Sequence, residues 1–183
     1  MARPGALVLV VGPSGAGKDT LMAAARAQLA GDANIVFARR VITRDAIAQL
    51  EDHDSIDLAG FKAARDRGDY ALHWEAHGLC YVVPAAIDDE IAQGRTVVMN
   101  GSRRMIGDAQ ARYPRSMVVL VTADPAVRAK RLAGRGRETE AQIANRLAHE
   151  GAPVPSGIET VRIDNSGDLN TAATALVKAI RLA

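Results

Sequence analysis

The chain has 183 residues, 48% of them hydrophobic, and a net charge of only +2: enough apolar material for one α/β domain, too little charge to imply a nucleic-acid or membrane partner. Aromatics make up 3%, so Ala, Val, Leu and Ile must fill the core. A single cysteine, Cys80, excludes an internal disulfide, and with no secretory leader pattern or bilayer-length apolar run the reading is a soluble cytoplasmic protein.

The run ALVLVV at residues 6–11 is continuously apolar and ends in glycine, as a strand covered on both faces does. An Ala-rich helix is predicted over 20–29 and a strand over 34–38. From Arg39 to Val83 the texture becomes charged, and three of the four histidines fall here. Asp57 is placed to cap a helix over 57–67, with Leu58 and Phe61 on one face and Gly68 ending it. Short strands are predicted over 70–74 and 79–83, and the whole segment 39–83 is read as an inserted lobe.

The regular pattern resumes at Pro84, with a helix over 85–93 stopped by Gly94 and a strand over 96–100. Ser102 can cap a helix over 102–111. MVVLVT at 117–122 reads as another buried strand. Asp124-Pro125 opens a helix over 125–133, broken by Gly134 and Gly136 before a second helix over 139–150. A last strand is predicted over 159–164, followed by an amphipathic helix capped by Asp168, with Leu169, Leu176, Val177 and Ile180 on its apolar face. Five core strands alternating with helices predict a parallel sheet, which binds ligands at the carboxyl ends of its strands.

GPSGAGKDT, Gly12 to Thr20, sits at such an end. It fits the phosphate-binding pattern G-x-x-x-x-G-K-[ST] until the residue after Lys18, which is Asp19. Gly12, Pro13, Ser14, Gly15, Ala16, Gly17, Lys18, Asp19 and Thr20 are therefore the candidate nucleotide loop: backbone N–H groups cradle an anion and Lys18 reaches the outer phosphates. Asp19 replaces the hydroxyl that usually meets magnesium. Either the loop is degenerate and binds nothing, or Asp19 points away or touches the ion through water, with Thr20 supplying a nearby hydroxyl; the intact Lys18 and glycines favour the second, and magnesium keeps several waters in such sites. ATP with Mg²⁺ is the expected cofactor pair.

DLAG at 57–60 matches a GTPase motif by letters but falls in a predicted helix, and no Asn-Lys-x-Asp base reader is present. More telling are Arg128, Lys130, Arg131, Arg135, Arg137 and Arg146, of which several lie on a glycine-broken segment between two helices. A solvated basic face is the ordinary explanation. With a phosphate loop upstream, residues 128–146 read instead as a lid whose arginines offset charge on a transferring phosphoryl group.

These stretches resemble the guanylate kinase branch of the nucleoside monophosphate kinases: GPSGAGK at the start, Thr43-Arg44, HGLCYVVP through Tyr81, and RLAGRGRETEAQIANRLA at 131–148. The resemblance implies a P-loop kinase fold over the whole chain, residues 1–38 and 84–183 forming the core and 39–83 the acceptor lobe. It departs where guanine should be read: Asp45, Ala46 and Ile47 follow Arg44, and Arg40 stands where that branch has a serine. RRVITR, EDH at 51–53, ALHWEAHGL at 71–79, NGSR at 100–103 and the GKDT form of the loop resemble a narrower group, the ribose 1,5-bisphosphate phosphokinases of bacterial phosphonate degradation. That resemblance implies phosphorylation of ribose 1,5-bisphosphate by ATP to 5-phosphoribosyl 1-diphosphate.

On this reading Lys18, Arg131, Arg135, Arg137 and Arg146 are catalytic, Asp19 and Thr20 face the metal, and Arg40, Arg44, His53, Tyr81, Asn100, Ser102 and Arg103 face the acceptor. Several have plainer explanations: His53 as surface, Tyr81 as a half-buried strand residue, Ser102 as a helix cap. Trp74 reads as lobe core and Cys80 as inert filling, while IDNSG at 163–167 resembles the turn beside the adenine. A nucleoside monophosphate kinase and a non-catalytic binding module are the competing functions. No nucleic acid or membrane is expected as partner, and the chain reads as a monomer or homodimer.

Overall fold

The computed structural model describes residues 5–43, 53–76, 78–134, 140–148 and 152–183. The first part of the chain forms β1 (Ala6–Val11), α1 (Lys18–Gln28) and β2 (Ile35–Phe37). Next come β3 (Arg40–Ile42), β4 (His53–Ser55), α2 (Leu58–Arg67), β5 (Tyr70–Ala76) and β6 (Leu79–Pro84). The remainder is α3 (Ala86–Ala92), β7 (Thr96–Asn100), a 3₁₀ turn at Arg103–Met105, α4 (Ile106–Arg112), β8 (Ser116–Thr122), α5 (Pro125–Ala133), α6 (Glu140–Ala148), β9 (Thr160–Asp164) and α7 (Leu169–Leu182).

Two sheets result, one of five strands ordered β2-β7-β1-β8-β9 and one of four ordered β4-β3-β6-β5. Every pairing in the larger sheet is parallel, as the alternation of strands and helices requires. β1 is fully buried because alternate side chains serve different layers. Leu7, Leu9 and Val11 join the cluster with Met105, Ile106 and Trp74, while Val8 and Val10 join the one with Leu21, Leu176 and Ile180. Among the described residues no helix is long and apolar enough to cross a membrane.

The smaller sheet belongs to the segment read as an inserted lobe, and it holds more than expected. β3 and β4, three residues each, add a parallel pair to the β5–β6 hairpin. Asp57 caps α2 as expected, its carboxylate accepting from the Gly60 N–H at 2.6 Å, which makes DLAG a helix start rather than a nucleotide motif. Leu58 does not share the buried face with Phe61; it is 54% exposed, since the apolar face of α2 begins a turn later.

A polar clamp joins α3 to the end of α4. Asp88 accepts from the Arg112 guanidinium and from the Tyr113 hydroxyl, each at 2.6 Å. Burial alone would raise the Asp88 carboxyl; the hydrogen bonds from Arg112 and Tyr113 outweigh it and hold the group below its ordinary value. A depressed native pKa gives stability that is present above the unfolded value, near 4, and lost as pH falls through the native value. Asp88→Asn is therefore expected to lower the melting temperature by about 2–4 °C at pH 7. Thermal scans across pH should show that gap closing below about pH 4; a constant gap down to pH 3 would show that the charge contributes nothing.

Candidate active site

The carboxyl ends of β1, β7, β8 and β9 meet at one edge of the five-stranded sheet, and the glycine loop lies there. Gly12 follows β1 so closely against β8 that a Cβ on it would stand 2.2 Å from the Val121 carbonyl oxygen. Gly17, at φ 81°, turns the chain into α1, and a Cβ there would stand 2.7 Å from Asn165 Nδ2. A side chain at Gly12 would collide with the backbone of the neighbouring strand, and one at Gly17 would be strained at this φ and would have to displace the Asn165 amide.

Three side chains hold the loop from outside. Arg128 on α5 donates from Nε to the Ser14 carbonyl at 3.0 Å. Asn165, just after β9, donates from Nδ2 to the Ala16 carbonyl at 2.8 Å. Arg131 reaches Ala16 O at 3.4 Å and Asn165 O at 2.7 Å. No peptide bond in the described chain is cis, so each N–H points opposite to the carbonyl of its own peptide unit. With the Ser14 and Ala16 carbonyls drawn outward, the N–H groups of Gly15 and Gly17 face the concave side, where an anion would sit. Lys18 folds over that side, donating to Gly12 O at 2.9 Å and Pro13 O at 3.3 Å.

The lid arginines divide. Arg128 is 3% exposed and Arg131 half-buried, so both belong to the floor under the loop rather than to a mobile cover. Arg131 still lies at the loop's flank, with Nη1 3.3 Å from where a Gly17 Cβ would be. Arg135 and Arg137 fall outside the described residues, and Arg146 is described only as backbone in α6.

Across the loop mouth the lobe supplies Arg40. Its guanidinium lies over the Tyr81 ring at 5.8 Å, and Tyr81 stacks on Trp74 at 5.1 Å with planes 8° apart. Arg40 Nη2 is also 3.7 Å from Asp19 Oδ1, and Asn100 at the end of β7 donates to the same oxygen at 2.6 Å. Asp19 thus sits between the loop, the core and the lobe.

Ser102 accepts from the Arg104 N–H at 3.3 Å, the capping role open to it from sequence, and Arg103 lies half-buried in the turn it opens. His53 forms part of β4, with only its backbone described, and Arg44 lies outside the described residues. Arg39 points elsewhere, pairing with Asp54 at 3.1 Å on the exposed edge of the lobe. Thr43, before Arg44, donates to Cys80 O at 3.4 Å and accepts from Cys80 N at 2.8 Å, tying β3 to β6.

Asp19 and Thr20 offer a magnesium ion a sparse protein donor set: one carboxylate, its side chain 42% exposed and its Oδ1 already accepting from Asn100, and an exposed hydroxyl on the next residue of α1. Magnesium is commonly held by one or two carboxylates together with substrate phosphates and water. Among the described residues no group of three His, Cys, Asp or Glu forms a metal cage.

No family model matches the chain. It is 49% identical over 173 residues to the ribose 1,5-bisphosphate phosphokinase PhnN of Brucella melitensis, covering 94% of this chain and 90% of that protein. Its identity to the enzyme of the same name from Methylobacterium radiotolerans is 47%, covering 97% and 98%. A bifunctional ribose 1,5-bisphosphokinase-thymidine phosphorylase of Cupriavidus necator is 45% identical over 99% of this chain, which matches 30% of that longer protein. Among solved structures the guanylate kinase of Anaplasma phagocytophilum superposes with a TM-score of 0.73 at 16% identity, over 99% of this chain and 87% of that one. A gluconokinase of Sinorhizobium meliloti gives 0.53 at 18%, over 100% and 95%. These two likenesses establish the P-loop kinase fold.

Proposed function

The chain belongs to the ribose 1,5-bisphosphate phosphokinase family, and on that premise we propose that it transfers the γ-phosphoryl group of ATP to the 1-phosphate of ribose 1,5-bisphosphate, giving 5-phosphoribosyl 1-diphosphate and ADP. The observation that carries this reading is the meeting of the Lys18 loop with a lobe arginine, Arg40, through Asp19 at 3.7 Å, which puts cationic groups on both sides of one cleft. Two polyanions need such a cleft.

The nucleophile is an oxygen of the acceptor phosphate. Its second pKa is about 6, so it is ionised at neutral pH and requires no general base. A new bond forms from that oxygen to the γ-phosphorus, the bond from γ-phosphorus to the β–γ bridging oxygen breaks, and ADP leaves with the electron pair. The protein's part is to align the reactants and offset their repulsion. Residues 12–20 hold the nucleotide. Lys18 and Arg131, with Arg135, Arg137 and Arg146 of the region 128–146, follow the transferring charge. Arg40, Arg44, His53, Tyr81, Asn100, Ser102 and Arg103, most of them from the lobe 39–83, face the sugar bisphosphate. A magnesium ion held by Asp19 and Thr20 would neutralise phosphate charge. The reaction would run in the cytoplasm, in a monomer or homodimer.

Coupled ADP release with each acceptor in turn tests the reading. Turnover is expected with ribose 1,5-bisphosphate and little with guanosine monophosphate. Comparable rates on the nucleotide would move the protein to the nucleoside monophosphate kinases, and no turnover on either would make it a binding module.

A further inference from the structure

A cavity of about 70 Å³ opens beside Asp19, lined by Met22, Arg26, Phe37, Arg40 and Asn100. Asp19, Met22 and Arg26 are spaced by three and four residues, so they share one face of α1. Seven residues of helix separate Asp19 from Arg26, about 10 Å along the axis. The cavity therefore runs along α1 from Asp19, the residue after Lys18, toward Arg26. We infer that it receives the non-reacting 5-phosphate of the acceptor, and that Arg26 binds this phosphate together with Arg40. The inference rests on the proposed acceptor and deepens it.

The reacting phosphate has to lie near Lys18, in line with the nucleotide, so the phosphate at the other end of the sugar must lie away from the loop. Among the described residues that line it, the cavity offers two guanidinium groups, Arg26 and Arg40, and one carboxylate, Asp19. Each is laid on an aromatic face: Arg26 over Phe37 at 5.2 Å and Arg40 over Tyr81 at 5.8 Å. Stacking of this kind preorganises a planar fork suited to phosphate.

Asn100 supplies an independent observation. It is 8% exposed, and its Nδ2 is committed to the Asp19 carboxylate, which can only accept. Its Oδ1 is buried with no partner among the described residues. That oxygen is closed to solvent, so Asn100 acts on the cavity through Nδ2, which fixes the Asp19 carboxylate at its wall. The Arg26 guanidinium also has a structural role, lying over the Phe37 ring and donating from Nη2 to Phe37 O at 3.5 Å.

Titration calorimetry of ribose 1,5-bisphosphate, without nucleotide or metal, separates the two roles. Arg26→Met keeps the stem and should weaken binding about tenfold, the scale of one lost charged hydrogen bond; Arg26→Lys should recover part of the loss. In turnover, the preference in kcat/KM for ribose 1,5-bisphosphate over ribose 1-phosphate should fall by a similar factor, with the KM for ATP unchanged. Wild-type affinity in Arg26→Met, an equal loss on both acceptors, or an equal rise in the KM for ATP would overturn the assignment. If Arg26→Met weakens binding as expected but wild type releases no ADP, the subsite stands and the transfer reading fails. A wild type that binds no bisphosphate sinks both.

Discussion

Replacing Lys18 with alanine should lower kcat by about 10²–10³-fold, the loss seen when one preorganised donor to a transition-state oxygen is removed. The side chain is half-buried and spans the loop mouth, 2.9 Å from Gly12 O and 3.3 Å from Pro13 O. Those bonds hold the ammonium over the concave side, where developing charge on a phosphoryl group would lie. The fold should survive, because neither carbonyl is sealed from water by the change. Steady-state kinetics and thermal melts check both halves: a near-normal rate would place the donor elsewhere, and a large drop in melting temperature would make Lys18 a structural residue.

Arg128→Ala should act on stability and on nucleotide binding together. The guanidinium is 3% exposed and its Nε holds Ser14 O at 3.0 Å. Truncation leaves a void where a 3% exposed side chain stood and orphans the carbonyl, a loss of about 2–3 kcal/mol. For a chain of this size that corresponds to about 4–12 °C in melting temperature. The freed Ser14–Gly15 peptide would no longer aim its N–H inward, so the KM for ATP should rise about tenfold, the scale of one charge-assisted hydrogen bond. Arg128→Met separates the two effects by filling most of the void. It should regain much of the stability and still bind nucleotide poorly; a wild-type KM in that variant would show that the loop is held without Arg128.

The three central strands of the larger sheet, β1, β7 and β8, were legible because each is an apolar run, and burial on two faces leaves that signature. The lobe was harder. RVI and HDS, the three-residue strands β3 and β4, are too short to show a period, and it is the β5–β6 hairpin that organises them. Grouping arginines by their nearness to Gly134 and Gly136 blurred two populations. Helical spacing separates them: Arg128 and Leu132 are four apart and share the buried face of α5. Asn165 looked like part of a turn beside a base. Its position after a strand end, opposite the loop, made it the prop for Ala16, and only the parallel pairing of β8 with β9 brings it there. Asp19 was legible as an oddity, but not its neighbours, since Arg40 and Asn100 are brought to it by two different sheets.

Trp74 is the sole tryptophan of the chain, and its indole lies flat on the Tyr81 ring beneath Arg40. Trp74 also belongs to the cluster of Leu9, Met105 and Ile106, so a movement of the lobe against the core would alter the surroundings of that one chromophore. The protein thus carries its own optical label, and stopped-flow fluorescence would report any such movement on substrate binding without an attached dye.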